Sequence, residues 1–200
     1  MPAKNSVKIY LENSYYHIYN RGAGKRKIFF DEEDYKVFVH YLKKYLDKNS
    51  PYSFFDKIRL LAYCLMPNHF HFLIYQSDKK GIVKLMRSLS ISYAMYFNKK
   101  YKNSGTIFQG IYKAVLIDSD EQLIHLSRYI HLNPKELTSN WQKYLFSSYS
   151  SYLESTQLEW INPKPVLDFF KRDKENFSYK SFVEKTDVGL KEKLKEVAID

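Results

Sequence analysis

The stretch Met66–Ile74, Met-Pro-Asn-His-Phe-His-Phe-Leu-Ile, sets two histidines on either side of one bulky apolar residue. The run reads as a β-strand. Side chains alternate along a strand, so His69 and His71 share one face, while Phe70, Phe72 and Ile74 share the other and can be buried. Two imidazoles side by side on a rigid strand make half of a divalent metal site. Such a site still needs a third ligand, a nucleophile and a substrate.

Upstream, Ile58–Leu65 is a continuous apolar run with one Arg, as a central strand requires. Pro67-Asn68 then makes a turn, so the two runs predict a hairpin. Further out, Ser14–Asn20 reads as a first strand. The loop Arg21-Gly-Ala-Gly-Lys-Arg-Lys27 follows, with two glycines and four cations. It suits either close approach to a phosphate or a flexible basic turn. It lacks the spacing of a nucleotide-binding loop. Asp31 is placed to cap a helix running to about Lys48, with Tyr35, Phe38, Val39, Leu42 and Leu46 on its apolar face.

A second helix is expected from Lys80 to about Lys100, with Ile82, Leu85, Leu89, Tyr93 and Tyr96 as a packing stripe. Lys113–Ile117 reads as a fourth strand. Ser119, with Gln122 three residues on, caps a third helix from Asp120 to about Leu132. The order is strand, helix, strand, strand, helix, strand, helix. Without the last helix this is the split βαβ pattern of ferredoxin-like folds. The expected class is α+β: an antiparallel sheet with helices on one face and the other face left for a site. Residues 1–153 are expected to form the main domain. Residues 154–200 form a C-terminal extension with a final helix over Gly189–Ala198.

Lys and Arg number 32 against 22 Asp and Glu, a net charge of +10. From Lys79 to Lys113 the charged residues are Lys79, Lys80, Lys84, Arg87, Lys99, Lys100, Lys102 and Lys113, with no acid among them. That asymmetry favours a polyanion, nucleic acid above all, over a merely solvated face. The 19 Tyr suit both a core and a surface that stacks bases. Cys64 is the only cysteine, which excludes a disulfide or a thiolate zinc cluster, and it reads as a small core residue. With no apolar signal region at residues 1–6 and no membrane-length run, a cytoplasmic protein is expected.

On the third helix, Leu123, Leu126 and Ile130 share a face. Tyr129 flanks it and Asn133 follows four residues later. This spacing can set a phenol and an amide oxygen over a histidine pair. A phenol with a pKa near ~10 is a poor nucleophile unaided. A metal on the histidines would polarise a scissile phosphate, and attack by tyrosine would conserve the phosphodiester energy in a covalent link. Spacing alone does not select Tyr129 from 19 tyrosines.

Over about residues 14–153 the chain resembles the single-tyrosine HUH transposases (histidine, hydrophobic, histidine), and especially the bacterial branch associated with repetitive extragenic palindromes. The resemblance rests on Tyr-His-Ile-Tyr-Asn-Arg-Gly at 16–22, Ile-Phe-Phe-Asp-Glu-Glu-Asp at 28–34 and the 66–74 stretch. It continues with Tyr-Phe-Asn-Lys-Lys-Tyr at 96–101, Ser-Gly-Thr-Ile-Phe-Gln-Gly at 104–110, Arg-Tyr-Ile-His-Leu-Asn-Pro at 128–134 and Ser-Ser-Tyr at 147–149. It implies an HUH endonuclease fold. His69 and His71 would be metal ligands for Mg²⁺ or Mn²⁺, Asn133 an amide-type third ligand, and Tyr129 the nucleophile. Tyr129 would link to the 5′ phosphate of cleaved single-stranded DNA and leave a 3′ hydroxyl. The substrate is single-stranded DNA with a hairpin or palindromic repeat. Phosphate contacts are assigned to Arg21, Lys25, Arg26, Lys99, Lys100 and Lys113. The resemblance extends to a bacterial, nucleoid-associated enzyme, either monomer or homodimer.

Two other classes compete with this nicking and joining enzyme. One is a domesticated hairpin-binding protein with little activity, against which the retained His69, His71 and Tyr129 argue. The other is a single-strand RNA or DNA module with aromatics on the sheet and no metal. Tyr96 and Tyr101 are rival nucleophiles, although nothing at their spacing supplies a ligand. His17, His40 and His125 read as surface or core histidines. His131 falls on another helical face and outside the site.

Overall fold

The predicted hairpin is present as β2 (Ile58–Met66) and β3 (His69–Gln76) in the computed structural model, which describes residues 9–153, 158–171 and 178–185. The remaining strands are β1 (Ser14–Arg21) and β4 (Lys113–Ile117). They form one sheet in the order β2-β3-β1-β4, with every neighbouring pair antiparallel. This is the expected ferredoxin-like α+β arrangement.

Alternation along β3 divides the interior in two. Phe70, Phe72 and Ile74 enter one core, and Leu73 enters the other. A register shift between Leu60 and Ala62 places Leu61 and Ala62 in the same core. Ile58, Leu60, Tyr63 and Leu65 stay with the phenylalanines. β2 is therefore apolar on both sides, as its unbroken hydrophobic run predicts.

The first core is closed by α1 (Glu32–Leu46) and α2 (Gly81–Tyr101). Asp31 accepts from the Asp34 amide, and the Asp34 side chain returns the bond, completing a capping box. Phe38, Leu42 and Leu46 are buried as their spacing requires, and α1 ends two residues before Lys48.

The second face is not left open. α3 (Asp120–Leu132) lies on it, with Leu123, Leu126 and Ile130 packed against Leu61, Cys64 and Leu73. Ser119 caps α3 by accepting from the Gln122 amide. Gln122 Oε1 accepts from Asp118 rather than from Ser119, so the box closes one residue early. Short helices complete this layer: α4 (Tyr149–Tyr152), α5 (Lys164–Lys171) and α6 (Tyr179–Glu184). They contribute Tyr149, Tyr152, Val166, Tyr179, Phe182 and Val183 to the second core. The helix expected over Gly189–Ala198 lies outside the described residues. Cys64 is a buried free thiol in this core, and burial pushes its pKa up.

His131 shows how α3 is tied down. It is fully buried between Tyr179 Oη at 2.7 Å and Ser148 Oγ at 2.8 Å. Tyr179 in turn donates to Ser127 Oγ at 3.0 Å, so one polar chain links α3, α6 and the Ser147-Ser148 turn. Burial holds the His131 imidazole neutral, with its pKa down to about 3.

Candidate active site

The site lies on the second face, where the start of β3 meets the end of α3. His71 is fully buried and His69 is partly exposed at the strand's first position. Their ring centroids are 5.0 Å apart and nearly perpendicular. His69 Nδ1 lies 2.6 Å from Asn68 Oδ1, so Nδ1 donates and Nε2 keeps its lone pair. Asn133 directly follows α3. Its Nδ2 donates to the Tyr129 carbonyl at 2.8 Å, which leaves Oδ1 3.4 Å from His69 Nε2. Tyr129 stands edge-on to His71, with ring centroids 5.3 Å apart.

His71 Nε2 is buried and has no hydrogen-bond partner among the described residues. A polar atom in that position costs free energy unless something binds it. His69 Nε2, His71 Nε2 and Asn133 Oδ1 thus form a donor set of two imidazole nitrogens and one amide oxygen. That set fits a divalent cation whose remaining positions go to oxygens of water or phosphate. Burial holds both imidazoles below the ordinary histidine pKa, His71 further than His69. The charges of His17 and His69 add to the effect on His71. For His69, the Asn133 contact and Glu136 oppose burial, and Arg21 reinforces it. Neutral imidazole is the ligating form.

The structure therefore gathers Tyr129, Asn133, His69 and His71, all from one chain. His17, read from sequence as an ordinary histidine, also belongs here. Its Nε2 is 2.9 Å from His71 Nδ1, and its ring lies edge-on to Tyr129 with centroids 6.3 Å apart. The signal that places it is the strand register. Tyr19 pairs with His71 and His17 with Leu73, which puts His17 diagonal to His71 on one face.

The cations separate into two groups. Arg21 pairs in register with His69, and its Nε donates to Gln109 Oε1. Arg26 donates to the Thr106 carbonyl, which draws the 104–110 segment onto the Arg21–Lys27 loop. Gln109 N also donates to the Arg21 carbonyl at 2.7 Å. Lys25 is exposed on this loop, and Lys113 pairs with Tyr19 on β4. Gly22 serves the loop itself: a Cβ there would sit 2.1 Å from the Arg26 carbonyl oxygen.

Lys99 and Lys100 lie in the last turn of α2, on the opposite face of the sheet from the histidines. Lys99 is exposed. Lys100 is held by carboxylates at Asp31, Glu33 and Asp34, each at 2.8–2.9 Å. Its charge is balanced within the protein, which removes the basis for counting it as a phosphate contact. Tyr96 and Tyr101 donate to the same Asp34, at 2.9 and 2.8 Å. Burial pushes the Asp34 pKa up, but Lys100 and these donors outweigh it and hold the carboxyl low. Tyr96 and Tyr101 are thus engaged with Asp34 on the opposite face of the sheet from His69 and His71.

The family described as transposase, IS200-like, matches residues 10–133, from just before β1 through Asn133. Among solved structures, a REP-associated tyrosine transposase bound to a REP hairpin superposes with a TM-score of 0.58 at 13% identity. The match covers 78% of this chain and 95% of that one, and it supports the fold. A candidate transposase from Deinococcus radiodurans R1 matches at a TM-score of 0.41 and 17% identity, over 65% of this chain and 95% of its own. That likeness is too low to carry an argument. No curated protein matches the chain significantly. No helix among the described residues is long and apolar enough to cross a membrane.

Proposed function

Since the chain belongs to the IS200-like transposases, we propose that it nicks and rejoins single-stranded DNA bearing a hairpin, with Tyr129 as the nucleophile. The reading includes the palindrome-associated branch of the family. It rests above all on one observation: the rings of His69 and Tyr129 both stand edge-on to His71, whose Nε2 is buried and unpartnered among the described residues, and Asn133 bridges His69 and the Tyr129 main chain.

In this reading the Tyr129 phenolic oxygen attacks the scissile phosphorus. The O–P bond to tyrosine forms as the bond to the 3′ oxygen breaks. The phenol gives up its proton, and the 3′ oxygen leaves as a hydroxyl after gaining one. The product is a 5′-phosphotyrosine, and attack by another 3′ hydroxyl reverses the step and joins strands. His69, His71 and Asn133 would hold Mg²⁺ or Mn²⁺, which when bound neutralises charge on the phosphate oxygens. Arg21, paired in register with His69, would attract the adjoining phosphate. Arg26, Lys25 and Lys113 would extend the positive surface at longer range, while Lys99 lies on the opposite face of the sheet.

The test is a denaturing gel of hairpin DNA labelled at either end and incubated with the full chain and Mn²⁺. The 3′-end label should migrate with the protein, and the 5′-end label should appear as a shorter free strand. Tyr129→Phe and His69→Ala should give neither product. Binding without cleavage by the unmodified chain on every hairpin would favour a domesticated hairpin binder instead.

A further inference from the structure

We propose that His17 is a positioning residue that locks His71 in its Nδ1–H tautomer and so presents the Nε2 lone pair to the cation. The proposal rests on the reading of His69 and His71 as ligands given above.

His17 and His71 are both fully buried, on adjacent strands of the sheet's second face. Their rings are near parallel, at 15°, with centroids 5.2 Å apart. His17 Nε2 meets His71 Nδ1 at 2.9 Å. One of these nitrogens carries the shared proton, and the surroundings of His71 decide which. If His71 carried its proton on Nε2, that N–H would be buried with no acceptor among the described residues. With the proton on Nδ1, His71 donates to His17 and its buried Nε2 keeps a lone pair for a cation. His17 then accepts at Nε2 and carries its own proton on Nδ1.

Packing alone does not call for histidine at position 17. It is fully buried and sits between Leu73 and Val115 in the strand register, where a neutral aliphatic side chain would avoid the cost of a buried polar ring. The hydrogen bond to His71 offsets that cost. Partners that fix the tautomer and orientation of a ligating histidine matter to metal affinity by 10- to 100-fold as an order of magnitude. His17 also stands edge-on to Tyr129, so it touches both the ligand and the nucleophile of this reading.

The experiment uses the full chain with ¹⁵N-labelled histidine. Long-range ¹⁵N–¹H spectra without metal read the tautomer of His71, and titration with Mn²⁺ alone, followed by the resonance of the free ion, reads affinity. His71 should show its proton on Nδ1. His17→Phe, a ring without an acceptor, should weaken Mn²⁺ binding by about 10- to 100-fold. His17→Gln, whose amide oxygen can take the same proton, should recover most of that loss. A proton on Nε2 of His71 overturns the proposal while leaving the ligand reading intact. So does Mn²⁺ binding by His17→Phe as tight as in the unmodified chain, or equal weakness in both variants. Failure of the unmodified chain to bind Mn²⁺ at these histidines overturns the ligand reading itself. Should His17→Phe not fold, the tautomer and His17→Gln decide.

Discussion

Asn133 donates to the main-chain carbonyl of Tyr129 at 2.8 Å while its amide oxygen faces His69 Nε2 at 3.4 Å. One side chain thus couples the last turn of α3 to the first position of β3. Asn133→Ala removes both the oxygen donor and the orienting bond. It should weaken Mn²⁺ binding at least about tenfold and lower adduct formation. Asn133→Asp keeps an oxygen donor and should bind Mn²⁺ more tightly than the alanine variant. Mn²⁺ titration of the three proteins checks the order.

Because one chain supplies Tyr129 and both histidines, the site should work in cis. A mixture of Tyr129→Phe and His69→Ala proteins should form no adduct beyond the sum of its parts. Recovery of activity in the mixture would mean that the tyrosine of one copy serves the histidines of another.

The two groups of cations should separate in their salt dependence. Arg21→Ala or Lys25→Ala should weaken hairpin binding and lower the slope of log affinity against log salt by roughly one unit per lost phosphate contact. Lys100→Met should leave that slope unchanged. It should instead lower thermal stability, because Asp34 is buried with Lys100 among its partners. Fluorescence anisotropy across a salt series and a melting curve make the comparison.

His131 gives the fold an acid sensitivity of definite sign. Its pKa is held at about 3 in the folded protein, against an ordinary value of 6.5. Between those values the unfolded chain binds the extra proton and the folded chain does not. The His131 contribution to stability is therefore complete above about pH 6.5, declines as pH falls, and is lost by about pH 3. His131→Gln cannot ionise and should flatten this part of the stability profile. Urea denaturation at stepped pH reads the difference.

The parts legible in the sequence are those set by local pattern. Alternation of His69, Phe70, His71 and Phe72 identified the strand and its two faces. Helical spacing placed α1, α2 and α3 within a few residues. Alternation alone paired His69 with His71, but Tyr129 and Asn133 were singled out only through the family blocks, because many tyrosines share the chemistry of Tyr129.

What the sequence hid depends on contacts between distant residues. His17 sits in Tyr-His-Ile-Tyr, where aromatic rings fall on both faces and alternation gives no direction. Lys100 looked like one more cation in an acid-free stretch, yet its carboxylates come from the start of α1. The second face was expected to be open, but α3 and the short helices α4, α5 and α6 cover part of it. Tyr179 reaches His131 across 48 residues, which no local spacing reveals.

The most direct measurement is to digest the DNA-linked protein with trypsin and locate the nucleotide by mass spectrometry. One modified peptide is expected, with a nucleotide joined through its 5′ phosphate to Tyr129. A nucleotide on Tyr96, Tyr101 or any other residue would contradict it, as would cleavage with no linked peptide.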